Sequence, residues 1–196
     1  GVSFESEGET EAIEAAPALS PSEFLDTLRT LQSKQPPPAG PLERNLIKTL
    51  IDQMEGQIQA GVQQVGVDVI QGYLDRMAAS EEASVQVIDA QMPGLTEKLA
   101  ALAGEGTVPH GALEASLQEV VQLRAEAQQV NVTPAMTFFG GLQSLLSVVA
   151  QHRLQLAVER GQAVSGRLTA IRGLIHQWVE RGRAERAAIG QALPAR

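Results

Sequence analysis

Residues 132–150 read VTPAMTFFGGLQSLLSVVA, and not one of them is charged. The flanking chain is ordinary amphipathic helix, so the fold turns on whether this stretch enters a membrane or the core of a soluble bundle. A spanning helix needs about 20 predominantly apolar residues. Here Thr133, Thr137, Gln143, Ser144 and Ser147 interrupt, and Gly140-Gly141 adds little apolar surface. His152-Arg153 closes the segment, but no comparably basic flank precedes it. The segment therefore reads as a helix buried on most sides of a soluble bundle. A second reading is a surface hidden in one state and exposed in another. In that reading Phe138 and Phe139, beside the glycines, form a helix tip that meets a partner or a membrane.

Thr133-Pro134 opens this helix in the usual way, a capping residue followed by proline. An apolar stripe then runs Phe138, Leu142, Leu145, Val149, Leu156, Val164, Leu168, Ile171, Ile175 and Trp178. Its phase fits a straight helix better than a heptad coiled coil. With few breakers, one helix from 134 to about 190 is expected, approaching ~85 Å at 1.5 Å per residue. On this reading Leu142, Leu145 and Val149 are core positions.

The same periodicity begins upstream. Leu46, Leu50 and Met54, then Ile47, Ile51, Ile58, Val62, Val65, Val69, Tyr73 and Met77, are consistent with one helix from residue 42 to about 79. AASEEAS (Ala78 to Ser84) is a weak break at best. The stripe resumes at Val85, Ile88, Met92, Leu95, Leu99 and Leu102, and Pro93-Gly94 is expected to kink or end it. GEGTVPHG (Gly104 to Gly111) is the clearest loop. A further helix carries Leu113, Leu117, Val120, Val121 and Leu123 and ends near AQQVNV (127–132).

The N-terminal region differs. Residues 1–19 are acidic, with few apolar groups to offset ordering entropy, and read as a disordered tail. In SPSEFLDTLRTLQSK, Ser20 is a natural N-cap, Pro21 fits the first helical position and Glu23 completes a capping box. Phe24, Leu25, Leu28 and Leu31 give residues 20–35 an apolar face. QPPPAGP (Gln35 to Pro41) ends this helix, and residues 36–41 form a stiff linker. A capped amphipathic helix between tail and spacer suits docking, on a partner or on its own bundle. Residues 42–196 make the long-helix bundle. The expected fold is all-α: an elongated bundle of long antiparallel helices with a disordered acidic N-terminal tail.

Charge is laid out unevenly. Residues 1–40 hold seven acids and two bases, residues 41–132 thirteen and five, and residues 133–196 three acids and eight arginines. The acidic and basic parts are expected to pair within the fold. Arg153, Arg160 and Arg167, spaced by seven, flank the apolar stripe and are candidate partner contacts. Nucleic acid is disfavoured because stacking aromatics are nearly absent there and the whole chain is −8. Glycines dot the long helices. Gly166, Ala170 and Gly173 form a face of small residues suited to close helix approach, within the fold or with a second subunit.

Chemistry is sparsely represented. With no cysteine there are no disulfides, thiolate nucleophiles or Cys-based metal sites, and the compartment stays open. The chain opens on Gly1 without Met, which suggests a trimmed or processed terminus, and no signal peptide is visible. His152 and His176 are ~36 Å apart on one helix and cannot share a metal. His152 in QHRLQ matches no trusted phosphoacceptor motif. HExxH, GxSxG and a phosphate loop after a strand are all missing. No cofactor, metal or catalytic residue is expected. The residues point to a non-enzymatic structural or adaptor protein that binds protein partners and self-associates. Its candidate contacts are Phe24, Leu25, Leu28, Leu31, Phe138, Phe139, Arg153, Arg160 and Arg167. The alternative is a membrane-active helical protein, such as a secreted translocator or pore-forming component, using residues 136–150.

Overall fold

The computed structural model describes residues 17–35, 42–104, 110–152 and 155–195. The expected tail (to residue 16), the Pro-rich linker and the centre of the 104–111 loop lie outside them. The chain is all-α. Its helices are α1 (Pro21–Lys34), α2 (Leu46–Gln59), α3 (Val67–Leu102), α4 (His110–Gln129), α5 (Thr133–His152) and α6 (Val158–Ala192). Two strands of two residues each, β1 (Ala18–Leu19) and β2 (Val65–Gly66), pair antiparallel, Ala18 with Gly66 and Leu19 with Val65. Residues 17–19, assigned to the tail from sequence, are thus part of the fold. Two compact units result: one from residues up to Ala79 plus Glu180–Arg196, the other Ser80–Val179.

In the first unit, α1 starts as its sequence dictates. Ser20 is the N-cap, and its hydroxyl oxygen accepts from the Glu23 N–H at 3.4 Å. Phe24, Leu25 and Leu28 face a core with Leu46, Leu50 and Met54 of α2, Ile70 and Leu74 of α3 and Ile189 of α6. The helix expected to run from residue 42 to 79 is broken at Gly61. There the chain takes φ +80°, a left-handed conformation that glycine adopts at little cost. The Val62 N–H donates to the Gln57 carbonyl and the Gly61 N–H to that of Ile58, which closes α2 in a Schellman motif.

The second unit repeats the device. Asn131, at φ 59°, ends α4. The Val132 N–H donates to the Ala127 carbonyl and the Asn131 N–H to that of Gln128, so α4 reverses directly into α5. The Trp178 indole N–H donates to the Val130 carbonyl at 2.8 Å, fixing α6 to this turn. On α3 the weak break at Ala78–Ser84 is absent, and the helix does not end at Pro93, which lies inside it. The single helix expected from 134 to 190 also fails, since α5 ends at His152 and α6 begins at Val158.

That second break has a visible cause. Leu156 pairs with Ala103 as a parallel bridge, and its carbonyl accepts from the Gly104 N–H at 2.9 Å. Gly161, in the first turn of α6, backs onto this contact. A Cβ placed there would sit 2.6 Å from the Ala103 Cβ. Ala103 has no flexible end to give way, so backbone must move. We expect Gly161→Ala to destabilise the second unit by about 1–3 kcal/mol, although alanine is the better helix former. A urea midpoint at or above the parent's would show that no such close approach exists.

Candidate interaction surface

The helix α5 buries one stripe, which keeps Leu142 and Val149 of the expected one but not Phe138 and Leu145. Ala135, Phe139, Leu142, Leu146 and Val149 are buried, whereas Phe138 and Leu145 are only half-buried. Leu142 and Val149 belong to both stripes, so the inward face is turned by only about half a residue step, ~50°. The expectation of a helix buried on most sides is corrected as well. Thr133–Gln151 is long and apolar enough to cross a membrane, with mean hydropathy 1.2, yet only 28% of that stretch is buried. Its outward line is Thr133, Thr137, Gly141, Ser144, Val148 and Gln151: neutral, and mostly small or polar.

Beside α5, an open groove of about 580 Å³ is lined by Leu145 and by Ala157, Glu159, Arg160, Ala163, Val164 and Arg167 of the α6 end. Arg160, Val164 and Arg167 follow at four and three residues, so they share one face of α6. Leu145 and Val164 are half-buried, and the two arginines are exposed. Sequence placed Leu145 and Val164 in the core stripe. The placement of Val164 between Arg160 and Arg167 was legible in the i, i+4, i+7 spacing, whereas that of Leu145, on another helix, was not.

The arginines of the described part of α6 divide sharply. Arg172 Nε donates to Asp89 Oδ1 at 2.8 Å, Arg181 to the Leu42 carbonyl at 3.3 Å and Arg183 to Glu180 at 2.7 Å. Arg186 is buried and also engaged. Among the described residues, Arg160 and Arg167 take part in no ion pair. Among the described residues that line the groove, the only acid is Glu159. Unneutralised positive charge thus gathers where apolar side chains are also accessible. The internal pairing expected from the charge layout holds for Arg172, but not for these two.

The other sequence-derived candidates lie elsewhere. Phe24, Leu25 and Leu28 are buried in the first unit, and Leu31 is partly buried at the edge of that core. Phe139 is fully buried, and the half-buried Phe138 packs against it with ring centroids 5.7 Å apart. Arg153 lies outside the described residues.

One titratable cluster stands out. Asp89 Oδ1 accepts from Arg172 and lies 2.8 Å from His176 Nε2. Partial burial pushes the Asp89 carboxyl up. Hydrogen bonds and charge from His176 and Arg172 together outweigh this and hold it below its usual value. A carboxyl lowered in the folded state adds stability above the unfolded-state value, and this is lost as pH falls through the folded one. The parent should therefore unfold at higher urea than Asp89→Asn at neutral pH, and the gap should close in acid. A gap that is constant with pH would sever the link to this carboxylate.

No family model, curated protein or solved structure matches this chain.

Proposed function

We propose that this chain is a non-enzymatic structural or adaptor protein that presents helical surfaces to protein partners and self-associates. The observation that supports this reading is the α5–α6 groove. It combines accessible apolar side chains with two guanidiniums that no acid of the described chain neutralises. Interfaces favour arginine, with its long apolar stem and its five donors, over lysine. The neutral outer line of α5 adjoins the groove and carries no charge to repel a second helix. Sedimentation velocity over a wide concentration range tests the reading, with reversible, concentration-dependent growth in mass as the expected result.

A membrane-active role is the second reading, favoured by the length and hydropathy of Thr133–Gln151. Against it stands the outward line of that helix, whose threonines, serine and glutamine gain nothing from hydrocarbon. Flotation with lipid vesicles separates the two. A protein that stays monomeric at every concentration and floats with vesicles would reverse their order.

A further inference from the structure

The groove also carries a statement about what fills it. Its lining is apolar at Leu145 and Val164 and cationic at Arg160 and Arg167. Seven residues separate the arginines, which sets them ~10.5 Å apart along α6. A complementary occupant needs several closely spaced carboxylates, few or no cations and an occasional large apolar side chain. The chain's own first sixteen residues, GVSFESEGETEAIEAA, meet each requirement. They hold Glu5, Glu7, Glu9, Glu11 and Glu14, no Lys or Arg, and the apolar Phe4 and Ile13. An acid at every second position from Glu5 to Glu11 brings carboxylates within reach of both guanidiniums in more than one register.

We propose that the groove receives the acidic segment 1–16 of a second copy of this chain. The inference rests on the self-association proposed above and names its contact. Each copy offers one segment and one groove, so the contact is head-to-tail. Charge attracts and orients the segment, and burial of Phe4 or Ile13 against Leu145 and Val164 adds an apolar anchor. Pairs at this exposed rim are screened, so association should weaken as salt rises.

The test is a charge swap in the full chain, read by sedimentation velocity. One variant carries Arg160→Glu and Arg167→Glu. Both positions are exposed, and an unchanged circular dichroism melt checks that the fold is kept. A second variant carries Lys at all five acids of the segment, and a third combines the two sets. We expect each single set to weaken self-association by about tenfold or more, and the combination to recover most of the loss. A labelled peptide of residues 1–16 should bind the parent saturably and bind the arginine variant at least about tenfold more weakly.

Self-association that is indifferent to the arginine variant would overturn this contact while leaving the adaptor reading intact. A parent that is monomeric throughout would overturn both. A monomer that still binds the peptide would leave the segment–groove match but refute the second copy. Failure of the combined set to recover association would refute the pairing. So would arginine-dependent binding to phosphatidylserine vesicles without any effect on self-association, since the groove would then be a lipid contact.

Discussion

Leu146→Asp should abolish cooperative unfolding of the second unit, while Leu145→Asp, one residue away, should melt close to the parent. Leu146 is 1% exposed and belongs to the stripe that α5 buries with Phe139 and Leu142. A carboxylate placed there loses its hydration. That costs several kcal/mol, comparable with the ~5–15 kcal/mol total stability of many domains. Leu145 is half-buried at the groove rim, where a carboxylate can reach water and lies near Arg160 and Arg167. The chain's single tryptophan, Trp178, belongs to the same unit and is hydrogen-bonded to the turn before α5, so its fluorescence reports the transition. If Leu145→Asp loses the transition and Leu146→Asp keeps it, the assignment of the buried face is wrong.

The same pair shows where sequence runs out. A helix with apolar or small residues on every side has no sharply defined inward direction. In α5, Phe138 and Phe139 are adjacent, as are Leu145 and Leu146, so two stripes one residue apart look almost equally good. Packing against α4 decides between them, and that information is not local. Helix starts were legible for the opposite reason. Ser20 satisfies a local backbone donor and Pro21 fixes a local dihedral, so α1 begins where its sequence indicates. α5 begins at Thr133, one residue before the expected first helical position, with the Met136 N–H donating to the Val132 carbonyl.

Helix ends were harder to read. Gly61 stops α2 through a single left-handed residue, yet Ile58, Val62, Val65 and Val69 keep the helical step across it, so the apolar pattern runs on unbroken. The end of α4 at Asn131, by contrast, was legible, since it falls in AQQVNV (127–132), where the helix is expected to stop. Pro93 shows the converse: proline removes one backbone donor, yet the 36-residue α3 continues past it. Of the candidate surface, the spacing of Arg160 and Arg167 was visible in sequence. Their lack of ion-pair partners was not, because it depends on which acids the fold brings near.

Glu185 illustrates that dependence in the opposite sense, and its removal should be costly. It is one of only three acids after residue 132, and sequence gives it no role beyond a solvated helix face. In the first unit its Oε1 accepts from Arg44 Nε at 2.9 Å, with the two side chains only 8% and 9% exposed. Its Oε2 accepts from the Leu46 N–H at 3.3 Å. That amide is the first of α2, whose N-cap, Asn45, makes no side-chain capping bond. Glu185 of α6 therefore supplies the cap that α2 lacks in its own sequence, and its negative charge suits the positive end of the α2 dipole. Nearby, Arg181 donates to the Leu42 carbonyl at 3.3 Å, holding the same entry segment. Glu185→Ala removes the carboxylate shared by a buried guanidinium and a helix N–H, and we expect it to cost about 3–5 kcal/mol. Arg44→Met combined with Glu185→Leu removes both charges and fills the space, so it should cost much less than either charge removed alone. Urea unfolding followed by circular dichroism, with hydrogen exchange at the first amides of α2, reads both effects. If Glu185→Ala stays within about 1 kcal/mol of the parent and exchange at Leu46 is unchanged, the pair is a bystander and α2 is held by its apolar face alone.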